Sequence, residues 1–167
     1  MATVIRGSDN FDTAENGRVL QIVQAVSTTT VALGSSAGTF YDIISQVITP
    51  KSATSKLLIE FDALGQISSG NYPALKTQLL NGSTVISGPT RLEAYYGAST
   101  SQNSPVYGRR YPLHTSLLYT HGATSSITIK AQAANDRGSA EENNLSGSIK
   151  AGSSGKDITL TITEIEA

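Results

Sequence analysis

The chain has no cysteine and no tryptophan, and holds one methionine and two histidines in 167 residues. Without cysteine there is no disulfide, no thiolate zinc site and no thiol nucleophile. Charged residues are only 15% of the chain, against about a quarter in ordinary globular domains. The net charge of −1 gives no electrostatic basis for binding nucleic acid. No window approaches the roughly 20 apolar residues of a membrane helix. The N-terminal MATVIRGSDNFDT lacks the apolar core of a signal peptide. Neither nucleic acid nor membrane is expected as a partner.

Ser, Thr, Gly, Asn and Gln take the place of the missing charge and give a polar, nearly uncharged surface. Such a surface is common in all-β secreted and virion proteins. Thr, Val, Ile and Tyr are plentiful and helix formers are scattered, which favours strands. The length suits a single domain.

The clearest stretch runs from Phe40 to Leu64. Tyr41, Ile43, Ser45 and Val47 alternate with Phe40, Asp42, Ile44, Gln46 and Ile48. After Pro50, Leu57, Ile59, Phe61 and Ala63 alternate with Leu58, Glu60, Asp62 and Leu64. A period of two in β-branched and aromatic residues marks strands. Pro50 ends the first arm, and Ser52, Thr54 and Ser55 favour a bend. The pair reads as a hairpin.

Ahead of it, Arg18–Val26 reads as a strand apolar on both faces, hence covered on both sides, and Thr28–Leu33 as its continuation or a second strand. Behind it, Ala74–Leu80 and Ser83–Ser87 form a hairpin through Asn81-Gly82, ended by Gly88-Pro89. Arg91–Tyr96, Val106–Tyr119, Ser125–Ala133 and Leu145–Ala151 supply further strands, with an acidic loop at Asn135–Asn144. In Asp157–Ile165, Ile158, Leu160 and Ile162 point inward, with a change of phase before Ile165. The sum is about eight to ten strands and no helix. The expected fold is an all-β antiparallel sandwich of jelly-roll type over residues 18–167, preceded by an extended N-terminal arm over residues 1–17. In that arm Val4, Ile5 and Phe11 are the candidates for docking on a neighbouring subunit or the virion.

Motifs of catalysis are weak. Gly34-Ser35-Ser36-Ala37-Gly38 matches G-x-S-x-G, but a strand follows where a hydrolase needs a helix. Gly152–Lys156 lacks the first glycine and the final hydroxyl of a phosphate loop. His114 and His121 have no carboxylates placed for zinc, and the loop with Asp136, Glu141 and Glu142 lacks the residue order of a calcium hand. Glu60 and Asp62 share a strand face as ordinary surface carboxylates. No catalytic, cofactor or metal residue is assigned, and no enzyme activity is expected. One constellation remains: Arg91, Tyr95, Tyr96, Tyr107, Arg109, Arg110, Tyr111, His114 and Tyr119. Tyr and Arg dominate interface energetics and stack on sugars, so this region reads as core with a polar rim, as a subunit contact, or as a ligand site for a host surface glycan.

Gly17–Val26 (GRVLQIVQAV), Val47–Ala63 (VITPKSATSKLLIEFDA) and Asp157–Ala167 (DITLTITEIEA) resemble a β-sandwich module of bacteriophage tail-fibre-like proteins. That module begins G-K-V-L-Q-V-V, carries I-T-P-x-S-x-x-S-K-I-L-V, and ends near I-T-V-M-E-I. The resemblance implies a virion structural protein, assembled in the host cytoplasm, that self-associates as a homotrimer and contacts other virion proteins. The first expectation is a short tail-fibre or receptor-binding subunit. With no coiled-coil or collagen-like shaft in the chain, it reads as a complete short protein. The alternative is therefore a capsid decoration (cement or head-fibre) protein on the major capsid protein. A glycan-degrading enzyme is the third reading.

Overall fold

The computed structural model describes residues 17–33, 38–67, 73–93, 109–137, 147–150 and 156–167. These form ten strands and, among the described residues, no helix. The strands are β1 (Val19–Ser27), β2 (Val31–Leu33), β3 (Phe40–Ile48), β4 (Lys56–Ile67), β5 (Pro73–Asn81), β6 (Thr84–Glu93), β7 (Arg109–Thr120), β8 (Ile127–Arg137), β9 (Gly147–Lys150) and β10 (Ile158–Ile165). The arm residues Val4, Ile5 and Phe11, and the Ser36 motif, lie outside the described residues.

All pairings among the described residues are antiparallel. One sheet runs β1–β10–β4–β7. Since β7 lines one side of β4 from end to end, β10 and β9 share the other side: β10 borders Lys56–Asp62 and β9 borders Leu64–Ile67. β2 pairs with β9 as β1 pairs with β10, so each of these two rows is one strand line broken in the middle. The second sheet runs β3–β8–β5–β6. Among the described residues only β5 and β6 pair with an immediate neighbour in sequence; β1 to β2 and β9 to β10 continue along one row, and every other connection crosses to the facing sheet. Two four-row sheets interleaved in this order are a jelly roll.

The core follows from strict alternation on the central strands. Leu57, Ile59 and Phe61 of β4 and Ile158, Leu160 and Ile162 of β10 are all 0% exposed. They pack in one cluster with Ile44 and Ile48 of β3, Leu75 and Leu79 of β5, and Ile129, Ala131 and Ala133 of β8. Each large side chain so buried contributes about 1.5–3 kcal/mol.

Five expectations are corrected. Phe40–Leu64 is not a hairpin: β3 pairs with β8, β4 with β10 and β7, and Thr49–Ser55 crosses between the sheets. A bulge between Asp42 and Ile44 also breaks the period of β3, so adjacent Ile43 and Ile44 are both buried. Gly88-Pro89 does not end a strand. β6 runs through it as an edge strand that, among the described residues, is bonded only to β5, where the N–H that proline lacks is dispensable. Asn135–Arg137 belong to β8 rather than to an acidic loop; Asp136 is buried and paired with Lys76 Nζ at 2.8 Å. β10 keeps its phase to the end, so the inward position after Ile162 is the buried Glu164. Finally, β1 is covered on one side only. Val23 and Ala25 face the core, while Val19, Ile22 and Val26 are 52%, 61% and 55% exposed.

Candidate functional site

Glu164 organises the corner where β3 gives way to β4. Its strand phase aims the side chain inward, and it is 0% exposed, where an unsolvated carboxylate needs several donors. It has them. Ser55 Oγ and Gln21 Nε2 each lie 2.5 Å from its oxygens. The Lys51 N–H donates at 2.8 and 3.0 Å to the two oxygens, and the Ser52 N–H at 3.2 Å. Burial alone would raise the Glu164 pKa; the Ser55 hydroxyl, the Gln21 amide and the two backbone N–H groups outweigh it and hold the carboxyl below its ordinary 4.5. Gln21 also donates to Thr49 O at 2.8 Å, and Lys51 Nζ to Leu20 O at 2.7 Å. The corner is therefore tied to β1 as well as to β10.

His121 completes this network. Its Nδ1 accepts the Ala123 N–H at 3.1 Å, so its proton sits on Nε2, which donates to Ser55 Oγ at 3.2 Å. A serine, a histidine and a carboxylate thus meet, but in the wrong order for nucleophilic catalysis. The imidazole donates to the hydroxyl instead of taking its proton, and the carboxylate holds the serine instead of the histidine. Ser55 is itself fully buried. The cluster is a structural knot.

The three stretches that carry the tail-fibre resemblance meet here. Gln21 comes from the first, Lys51, Ser52 and Ser55 from the second, and Glu164 from the third. Sequence reasoning missed this grouping, although Glu164 falling in phase with Ile158, Leu160 and Ile162 was a signal.

The two outer faces differ. On the β3–β8–β5–β6 sheet a polar ladder crosses the strands: Gln78 Nε2 donates to Gln132 Oε1 at 2.7 Å, and Gln132 Nε2 and Lys130 Nζ donate to Asp42 at 2.6 and 3.1 Å. These bonds keep the Asp42 pKa below its ordinary value. On the other sheet the register aligns Ile22, Thr163, Leu58 and Leu118 in one row, with Leu118 55% exposed. Two rows away stand Val26, Thr159, Asp62 and His114. There Asp62 Oδ1 accepts from His114 Nδ1 at 3.1 Å and Lys156 Nζ at 3.3 Å. Burial opposes ionisation of Asp62, but His114 and Lys156 prevail and lower its pKa. Glu60 lies in the row between, on the same outer face as Asp62. Among the described residues no group of three or more His, Asp or Glu is placed to hold a metal.

The tyrosine and arginine region is divided. Tyr111 and Tyr119 are half-buried against the core, and Tyr119 Oη lies 3.2 Å from Asn81 Nδ2. His114 is on the outer face. Arg109 and Arg110 begin β7 opposite Ile67 and Gln66, and Arg91 lies on β6 opposite Lys76. Tyr95, Tyr96 and Tyr107 lie outside the described residues.

No protein-family model matches the chain, and no curated protein does. Among solved structures, the Gx strain of infectious bursal disease virus is similar over 99% of this chain at 15% identity, with a TM-score of 0.44. The VP2 subviral particle of the same virus is similar over 99% at 18% identity, with a TM-score of 0.43. This chain spans 43% and 42% of those chains, about two-fifths of their length. At these values no role passes from them to this chain.

Proposed function

We propose that this is a structural protein of a virion surface, of the bacteriophage tail-fibre-like kind, acting by assembly and adhesion rather than by catalysis. One observation carries the reading. The three separated stretches that resemble the tail-fibre module supply the side chains and N–H groups around one buried carboxylate, Glu164. A likeness spread over distant segments gains weight when those segments form one physical unit. The jelly-roll order of the strands agrees with it, since virion proteins are among the users of that fold. In this reading residues 1–17 dock the subunit on the particle. The segment between β6 and β7, with Tyr95, Tyr96 and Tyr107, is then the candidate contact with a neighbouring subunit or a host surface glycan.

The test is localisation by electron microscopy on particles of the virus that encodes the chain, using an antibody raised against the purified protein. Label at a tail tip is the expected result. Label at three-fold positions of the head replaces the tail-fibre form with the capsid-decoration form. Absence from purified particles overturns both.

A further inference from the structure

A sandwich of two open sheets has four edges, lined among the described residues by β1 with the short β2, by β7, by β3 and by β6. An open edge is a template for another strand unless something guards it. β7 carries Pro112 and β6 carries Pro89. β3 carries the charged Asp42, held by Lys130, beside a bulge. β1 is different. Its sequence, VLQIVQAVS, contains neither a proline nor a charge. Its only irregularity lies at its start, between Val19 and Gln21, where Lys51 also reaches over to Leu20 O. From Ile22 to Val26 none of these guards is present among the described residues, and Ile22 and Val26 are the most exposed large apolar side chains on the strand. The sequence pattern of a strand covered on both sides is thus left half covered by the chain itself.

The pattern also fits its own copy. In antiparallel pairing about a two-fold axis at Gln24, Ile22 of one copy faces Val26 of the other, Val23 faces Ala25, and Gln24 faces Gln24. Apolar meets apolar on both faces, the amides meet at the axis, and no like charges are opposed. An isologous contact requires such self-complementarity. We propose that β1 is a self-association edge, through which two copies join their β1–β10–β4–β7 sheets into one continuous sheet about a two-fold axis at Gln24. This inference stands on strand chemistry and is independent of the virion reading.

The absence of cysteine makes the test clean. Directly opposed residues in an antiparallel pair have Cα atoms about 4.5–5.5 Å apart, inside the range a disulfide spans. In the full-length chain at micromolar concentration, Gln24→Cys is expected to form a disulfide-linked dimer under mild oxidation. The rate should exceed that of Val85→Cys, an exposed site on β6, by roughly 100-fold or more, because paired copies present millimolar effective concentrations. The double variant Ile22→Lys/Val26→Lys sets like charges opposite each other and is expected to halve the mass seen by light scattering, with the β-type circular dichroism retained. Equal cross-linking rates for Cys at 24 and 85 overturn the proposal. So does a mass, whether monomeric or trimeric, that the lysines leave unchanged.

Discussion

Glu164 shows how much can rest on one side chain. Replacing it by glutamine keeps the volume but turns one acceptor oxygen into a donor facing N–H and O–H groups, and it removes the charge that strengthens the other bonds. Since hydrogen bonds to a buried charge are each worth about 1.5–3 kcal/mol net, Glu164→Gln is expected to cost about 2–4 kcal/mol, measured as urea midpoints at neutral pH. The pH dependence has a definite sign. The folded-state pKa of Glu164 is below 4.5, so its stabilisation is complete above the unfolded-state value and fades as pH falls through the folded one. Asp42 and Asp62 are also lowered, from 3.8, and add to the same acid limb. The glutamine variant should therefore lose less stability between pH 5 and pH 3 than the parent; an identical acid limb in the two proteins refutes the assignment. The expected change of phase before Ile165 hid the inward aim of Glu164, since a carboxylate at an inward position reads as a break in the pattern. Its donors were not legible either, because Gln21, Lys51 and Ser55 lie more than a hundred residues away along the chain and only the fold brings them together.

At the scale of elements, period-two patterns located the strands well and their partners badly. β3 and β4 were plain from Phe40 to Leu64, yet they belong to different sheets. Local alternation says which face is buried, not which edge bonds to which. The length of the Thr49–Ser55 connection was a hint, since hairpin loops usually hold about two to five residues. β4 also continues past Leu64 to Ile67 through Gly65, a residue that reads as a strand end. Here a Cβ would run into the Leu75 methyl group from the facing sheet, and would stand 3.1 Å from Leu113 Cδ1. Gly65 marks a close approach of backbone to a facing side chain, as an isolated strand glycine often does. Gly65→Val is expected to lower stability by about 1–3 kcal/mol through overpacking, read by thermal denaturation. Pairing it with Leu75→Ala should recover part of that loss. If the double variant is no better than the sum of its parts, the collision is not the cause.

For the whole molecule, composition excluded disulfides, thiol chemistry and an electrostatic claim on nucleic acid, and strand content gave the all-β class. The jelly-roll order itself is a property of long-range pairing, β1 with β10 and β3 with β8. It was reachable from sequence only through the resemblance at the two ends and the β3–β4 corner. The candidate contact residues fared less evenly: Tyr111 and Tyr119 share the phase of β7 that packs against the core, while His114, in the other phase, stands on the outer face. The leader offers the test at this scale. A chain lacking residues 1–15 is expected to keep its circular dichroism and melt within a few degrees of the parent, while failing to enter particles assembled in the host. Normal incorporation of the truncated chain removes the docking role from Val4, Ile5 and Phe11.

The two ends of the described fold sit side by side: Gly17 N–H donates to Glu166 O at 3.2 Å, Glu166 N–H to Arg18 O at 2.9 Å, and the Arg18 and Glu166 side chains pair at 3.1 Å. β1 leaves this point and β10 returns to it as direct neighbours. A pull applied between the two ends therefore peels their ladder one rung at a time, starting from the Gly17 and Arg18 bonds to Glu166, so the force needed stays small however stable the sandwich is to heat. A load drawn lengthwise along β1 instead shears its ladder with β10, all rungs together. The fold is mechanically one-sided, weak across its joined ends and strong along its strands.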